Sequence, residues 1–199
     1  MIRAVLLSLA MAAPAIAAGP PDPDWPCIQR RQPQLSLAQI WGGPPPDQAA
    51  LELAETPEIQ RVAQAIALRR MPMPEAEAAI AAFAETQDAT GLVALFAATL
   101  DQINETRDRV MAGITRYAHN QEALDGRIEE LRHQFLALEA AEDQDFDRMD
   151  AVETELDWST RIFQDRQQSL TYVCETPVIL EQRAFALGRA VAGHLPDAN

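Results

Sequence analysis

The sequence predicts an all-α fold dominated by a long antiparallel helical hairpin with coiled-coil-like packing. Three observations lead to this prediction: a hydrophobic repeat with a 3.5-residue period, the return of that repeat after a short acidic linker, and a proline-rich N-terminal segment. We expect two shorter N-terminal helices to pack at the open end of the hairpin. The proline-rich segment should form an extended strap.

Apolar residues recur at alternating intervals of three and four residues between positions 96 and 138. A repeat of this period, held over about six heptads, is typical of a long helix that packs lengthwise against another helix. Only Arg107 and Gln121 interrupt its apolar character. The members of this first repeat are Phe96, Leu100, Ile103, Arg107, Val110, Ile114, Tyr117, Gln121, Leu124, Ile128, Leu131, Phe135 and Leu138.

The same spacing returns after a short acidic linker at residues 142–145. A short connection between long helices makes them antiparallel neighbours, so we expect helices at about 90–141 and about 146–193. Pro177 should kink or break the second helix. The members of the second repeat are Met149, Val152, Leu156, Ser159, Phe163, Arg166, Leu170, Val173, Pro177, Leu180, Ala184, Leu187 and Val191.

Polar residues within the repeats predict how the two helices are aligned. Folding the chain back about the linker pairs residues whose numbers sum to about 287, and this register places Gln121 opposite Arg166. The Gln121 amide carbonyl could then accept a hydrogen bond from the buried guanidinium. We interpret Arg107, Gln121 and Arg166 as a polar layer that sets the register, with Glu181 as the expected counter-ion of Arg107.

The strap, residues 18–46, contains eight prolines. Such a density disfavours helix and favours extended backbone. Apolar residues, Trp25, Ile28 and Leu35 among them, are interleaved with the prolines. We interpret the strap as a cover for apolar surface on the helices, the alternative being a proline motif that binds a partner.

Residues 47–199 form the predicted helical domain, and its first part contains two base helices. Thr56 followed by Pro57 is a start signal for a helix at about 56–71. Prolines at positions 72 and 74 stop that helix and start the next, at about 74–86. Apolar side chains outside the repeats, such as Leu92 and Val93, need cover at the open end of the hairpin. We expect the base helices to provide it.

Residues 1–17 have the pattern of a signal peptide. Arg3 precedes a short apolar run, and Ala15-Ile16-Ala17 matches the small-residue cleavage pattern. The run is too short to span a bilayer as a helix. We therefore expect an exported protein, periplasmic or secreted, that is soluble after cleavage near Ala18; retention as an uncleaved anchor is the alternative.

Two cysteines in an exported chain favour a disulfide, here between Cys27 and Cys174. Such a bond would close a loop of about 148 residues, for which the chain-entropy model gives roughly 4 to 5 kcal/mol of stabilisation. The sequence has no Cys-x-x-Cys motif. Thiol–disulfide chemistry is therefore not expected as a function.

The charge balance restricts the class of partner. The net charge is −14, and every one of the 16 basic residues is arginine. This balance disfavours nucleic acid and anionic lipid, and it favours a basic protein surface or a cation. No stretch of about 18 apolar residues follows the signal-peptide pattern, so we expect no stable membrane insertion. The hairpin tip concentrates acidic side chains that are candidate contacts for a basic partner: Asp143, Asp145, Asp147 and Asp150.

The tip begins like a calcium-binding loop but does not complete the motif. Arg148 stands where the loop requires glycine, and Thr154 stands where it requires a bidentate carboxylate. Glu130 and His133 have the spacing used in di-iron bundles, but we expect both to face outward. No phosphate-binding loop, nucleophile motif or cofactor fingerprint occurs, so we expect no metal and no cofactor.

Trp158, Tyr172 and Ile179 share a stripe outside the second repeat. We expect them to pack under the strap or the base helices; if Trp158 is exposed, it is the best single candidate for a partner contact. The sequence thus predicts an exported, non-enzymatic protein that binds another protein as a scaffold, assembly factor or holdase. The alternatives are a metal- or small-ligand-binding bundle, and an enzyme with a site between strap and base. A homodimer is also open, because a two-helix seam can close between chains.

Overall fold

A computed structural model describes residue 22 and residues 24–196, which form an all-α fold without strands. The all-α prediction and the two long helices that pack together are confirmed. The predicted signal peptide and its cleavage point lie outside the described residues. The helices of this part of the chain are α1 Leu37–Ile40, α2 Gln48–Ala54, α3 Pro57–Ala67, α4 Met73–Ala84, α5 Ala89–Glu139 and α6 Phe146–Ala192.

The two long helices pack along each other through the residues of the two repeats. In α5, every member of the first repeat is buried or half-buried. In α6, every member of the second repeat except Arg166 is also buried or half-buried. With 51 residues, α5 is about 75 Å long. We call these inward-facing residues the seam.

Contacts across the seam give the direction and alignment of the two helices. The Arg107 side chain meets Pro177, and the Arg127 side chain meets Glu155. Residue numbers therefore rise along α5 as they fall along α6. Gln121 lies across from Phe163, so the true register differs by three residues from the predicted one.

Pro177 lies inside α6, which continues through it without a break. Of the two predicted outcomes, a kink or a break, the break is therefore wrong. Proline removes one backbone hydrogen bond from a helix interior. Here the side chain of Pro177 is buried in the seam, and Cys174, one turn earlier, is tied to the strap by a disulfide. Packing and the covalent link thus hold a turn that local propensity disfavours.

The base forms where the short helices cover the first part of α5. Helices α2 and α3 pack on α5, and α4 packs on α6 and α3. Asp47 caps α2 by accepting a hydrogen bond from the Ala50 N–H at 2.8 Å. Residues 91–100 of α5 are buried on all sides, as expected for a helix that is apolar all round.

The base helices differ in length from their predictions. Helix α3 ends at Ala67, four residues before the predicted end. Residues 68–72 instead form the turn into α4, and within it Pro72 disfavours helical conformation at Met71, the residue before it. The strap also contains the one-turn helix α1, which was not predicted. No helix in the described part of the chain combines the length and apolarity needed to cross a bilayer.

Candidate interaction surface

The strap runs along one side of α5 and is fixed there by hydrogen bonds to its backbone. Asn104 accepts from the Leu35 N–H at 2.9 Å and donates to the Leu35 carbonyl at 3.0 Å. The hydroxyl of Thr115 donates to the Asp24 carbonyl at 3.0 Å. Polar side chains of α5 therefore satisfy backbone groups of the strap, which has no sheet or helix of its own here to do so.

Apolar contacts and a covalent bond reinforce this attachment. Trp25 is buried against Met111 and Ile114 of α5. The predicted pairing of Cys27 with Cys174 is confirmed, since the two residues form a disulfide. In contrast, Ile28 is fully exposed and does not contribute to the cover that the strap was expected to provide. The disulfide joins the strap to α6, while the hydrogen bonds join it to α5.

Arg107 lies in the seam, where it links three segments of the chain. Only 2% of its surface is exposed. Its guanidinium donates to the carbonyl of Pro177 in α6 and, at 2.9 Å, to the carbonyl of Gln32 in the strap. Burial lowers the pKa of Arg107, while the negative charges of Glu181 and Asp108 oppose this shift. Glu181 thus acts through its field, because it forms no ion pair with Arg107 in the described part of the chain.

The predicted pairing of Gln121 with Arg166 is wrong. The Gln121 amide donates to the carbonyl of Phe163 at 3.3 Å, and its own buried oxygen has no partner among the described residues. Arg166 is exposed. Long arginine side chains at the edge of a narrow seam can extend their charged end into water. The backbone carbonyl of Arg166 accepts from the hydroxyl of Tyr117, whose pKa burial raises.

Residues 22 and 24–196 leave the opposite side of the helix pair uncovered over much of its length, and we call it the open side. The strap contacts positions directly after seam residues, such as Asn104 in α5 and Cys174 in α6. Positions directly before seam residues point to the other flank in both antiparallel helices. Three of those positions in α6 carry Trp158, Tyr172 and Ile179, which are 63%, 75% and 40% exposed.

The exposure of these three side chains overturns one expectation. They do not pack under the strap, which lies on the other flank, and they are not covered by the base helices. Trp158 is therefore the exposed aromatic that the sequence singled out as a candidate partner contact. Exposed aromatic side chains are candidate hot spots of a protein interface.

The acidic residues of the tip are solvated. Asp143, Asp145, Asp147 and Asp150 are all exposed. Asp145 has a structural role, because its side chain accepts from the Arg148 N–H at 3.1 Å and caps α6. Asp147 lies in the first turn, where a negative charge is favourable near the helix N-terminus.

The described residues contain no group of three or more histidine, cysteine and acidic side chains placed to hold a metal ion. Glu130 and His133 are both exposed in α5, as their spacing relative to the seam predicted.

Sequence reasoning missed two buried polar residues that organise the structure. Asn104 holds the strap, and Arg183 donates to the carbonyl of Ile66 at 2.9 and 2.6 Å, near the end of α3. The last carbonyls of a helix lack partners within it, so a buried guanidinium is well placed there. The sequence did contain a signal for both residues. Each is a polar residue directly beside a seam position, in a stretch of its long helix where apolar residues occupy several faces.

Comparisons with known proteins add no relative. No family model matches the chain, and it matches no curated protein and no solved structure.

Proposed function

We propose that this chain is an exported, non-enzymatic protein that binds another protein through the open side. The observation that carries the proposal is the exposure of Trp158, Tyr172 and Ile179, which lie on the flank of the helix pair that the strap does not cover. Aromatic side chains dominate the energetics of protein interfaces. Scaffold, assembly factor and holdase are all compatible with such a surface.

The proposed mechanism depends on a stiff support for this surface. We infer that α5 and α6 act as an antiparallel, coiled-coil-like hairpin that projects from the base. The strap stabilises one flank through Asn104, Arg107 and the disulfide. A rigid surface loses little conformational entropy when a partner binds, which favours affinity.

The proposed export is supported by the signal-peptide pattern of residues 1–17 and by the cysteine pair. Disulfides persist in oxidising compartments such as the periplasm or the extracellular space. The acidic tip is a second candidate contact, for a basic region of the partner, through the exposed carboxylates of Asp143, Asp147 and Asp150.

Cavities between the strap and the long helices are the place to look for the alternative, an enzyme site. One, lined in part by Trp25 and Cys174, is about 40 Å³, and another, lined in part by Pro26, Tyr117 and Gln121, is about 310 Å³. Ligand pockets usually measure about 300 to 1,000 Å³, so only the second reaches that range. Among the described residues, its lining contains no histidine, cysteine, serine or lysine, and we therefore favour a protein interface on the opposite flank.

Photo-crosslinking in the native cells tests the proposal. A photoreactive amino acid at position 158 or 172 should capture a discrete protein. Position 168, exposed on the outer face of α6, is the matched control and should capture much less. Equal capture from all three positions, or none from 158 and 172, would contradict binding through the open side. Parallel probes at residues 143–150 test the tip.

A further inference from the structure

A cavity of about 490 Å³ lies where α3, α5 and α6 meet on the open side, and we call it the arginine pocket. Arg61 and Arg69 approach it from α3 and the following turn, and Arg109 approaches it from α5. Leu180 of α6 contributes an apolar surface. Polar neutral side chains complete the lining: Gln64, Gln102 and Thr106.

The charge of this pocket is opposite to that of the whole protein. The chain has a net charge of −14, yet no carboxylate lines the cavity among the described residues. Arg109 already pairs with Glu105 at 2.7 Å. Within residues 22 and 24–196, neither Arg61 nor Arg69 forms an ion pair or a side-chain hydrogen bond. Two guanidinium groups are therefore available to an anion from outside.

The C-terminal end of α3 lies near the pocket and could have paired with these arginines, but Arg183 already contacts it. The last carbonyls of α3 carry partial negative charge, which would attract cations and repel an anion. The buried guanidinium of Arg183 donates two hydrogen bonds to the Ile66 carbonyl there. This contact offsets the negative end of α3 and leaves Arg61 and Arg69 facing the cavity.

The pocket is continuous with the exposed apolar line on α6. Thr106 and Arg109 stand directly before seam residues of α5, the flank that faces the open side. Ile179 stands on the same flank of α6 and is next in sequence to Leu180 of the pocket. In the observed register, Tyr172 and Ile179 lie beside the stretch of α5 that carries Arg109. A single partner segment could therefore contact both features.

We propose that the arginine pocket binds carboxylate side chains of an acidic segment in the protein partner, next to the site for its apolar side chains. This inference rests on the proposed function and names the chemistry of the partner at that surface. Guanidinium groups recognise carboxylates through paired, charge-assisted hydrogen bonds. A long polyanion such as a nucleic acid would be repelled by the rest of this acidic chain, whereas a short acidic segment meets only the local positive charge.

A direct binding assay tests the pocket without knowledge of the partner. The probe is a fluorescent synthetic peptide of alternating glutamate and leucine, compared by anisotropy with its glutamine counterpart. The acidic peptide should bind the full-length mature protein, more weakly as salt rises, and the glutamine peptide should bind at least about tenfold more weakly. Equal affinity for the two peptides would overturn the proposal.

Matched variants locate the binding site. The double variant Arg61→Gln/Arg69→Gln should weaken binding of the acidic peptide by about tenfold or more. The control, Arg132→Gln/Arg148→Gln, makes the same change in net charge at exposed positions near the tip and should retain most of the affinity. Equal losses in both variants would overturn the pocket assignment. Inorganic phosphate is a second probe: if it binds through Arg61 and Arg69 while the acidic peptide does not, the site takes small anions and the proposal fails.

Crosslinking from position 172 separates this inference from the proposed function. If wild-type protein captures a partner and Arg61→Gln/Arg69→Gln reduces that capture, both are supported. Undiminished capture in the variant would overturn the pocket inference while the proposed function stands. Peptide binding that depends on the two arginines, without any capture in cells, would retain the acidic-group site and contradict the proposed function.

Discussion

The two flanks of the α5–α6 pair differ in what covers them. On the strap side, Asn104, Arg107 and Thr115 donate to backbone carbonyls of the strap. On the open side, Trp158 and Tyr172 remain exposed. An extended segment without secondary structure needs donors and acceptors along its path. The comparison teaches that polar residues beside the seam decide which flank an irregular segment can cover.

The largest expected effect comes from removing the covalent link on the strap side. The double variant Cys27→Ser/Cys174→Ser should lose up to about 4 kcal/mol of unfolding free energy, because the unfolded chain regains the entropy of a long open loop. Urea denaturation followed by circular dichroism measures this loss. Under reducing conditions, the unfolding free energy of the wild-type protein should fall to that of the variant. A remaining difference would show that the serine side chains themselves change stability, apart from the loss of the disulfide.

Arg107 tests the non-covalent part of the same flank. Arg107→Met should cost about 3 kcal/mol, since it removes charge-assisted hydrogen bonds and leaves the carbonyls of Pro177 and Gln32 with fewer donors. The open-side control Arg109→Met should change the unfolding free energy by less than about 0.5 kcal/mol, because exposed ion pairs contribute little. Similar urea midpoints for the two variants would remove the energetic distinction between the flanks.

Asp101 tests how the base helices affect α5. Desolvation, and then the negative charge of Glu55, raises the pKa of Asp101 above its usual value of 3.8. Because the folded-state pKa is raised, ionised Asp101 destabilises the fold at neutral pH, and that cost is relieved as pH falls through the raised pKa. Asp101→Asn should therefore stabilise the protein at pH 7, with the gain vanishing below the unfolded-state pKa. Urea titrations between pH 7 and pH 3 would reveal this trend, with Asp125→Asn, exposed on the same helix, as control.

The smallest stability effect is expected for the exposed aromatics of the open side. Trp158→Ala and Tyr172→Ala should change the unfolding free energy by less than about 0.5 kcal/mol, because little of either side chain is buried on folding. Thermal denaturation measures this. A loss comparable to that of Arg107→Met would mean that these side chains support the fold, which would weaken the case for a binding surface.

Local patterns were sufficient to identify the helices and their inward faces. The two repeats are buried as their spacing indicated, with Arg166 the exception. The alignment of the helices was not encoded in the same way. A slip of three residues still brings apolar positions of both repeats together, so periodicity alone could not choose between the predicted register and the one that pairs Gln121 with Phe163.

For the candidate surface too, the sequence predicted one part and only the folded chain shows the other. The stripe of Trp158, Tyr172 and Ile179 was visible from spacing, but its exposure depended on which flank the strap would cover. The arginine pocket could not be recognised, because Arg61 and Arg109 come from different helices and meet only in the folded chain. A charge count over the whole chain suggested a basic partner, while this local cluster favours an acidic one.

The sequence by itself determined the all-α class, the two long helices, the inward faces of both and the cysteines that pair, because each depends on local periodicity or on residue type. The tertiary structure decided the register, the continuity of α6 through Pro177 and the choice of the flank left open. Those features depend on contacts between distant segments, such as Arg107 with Gln32 and Pro177. Their free energy is gained only when the chain has brought these segments together.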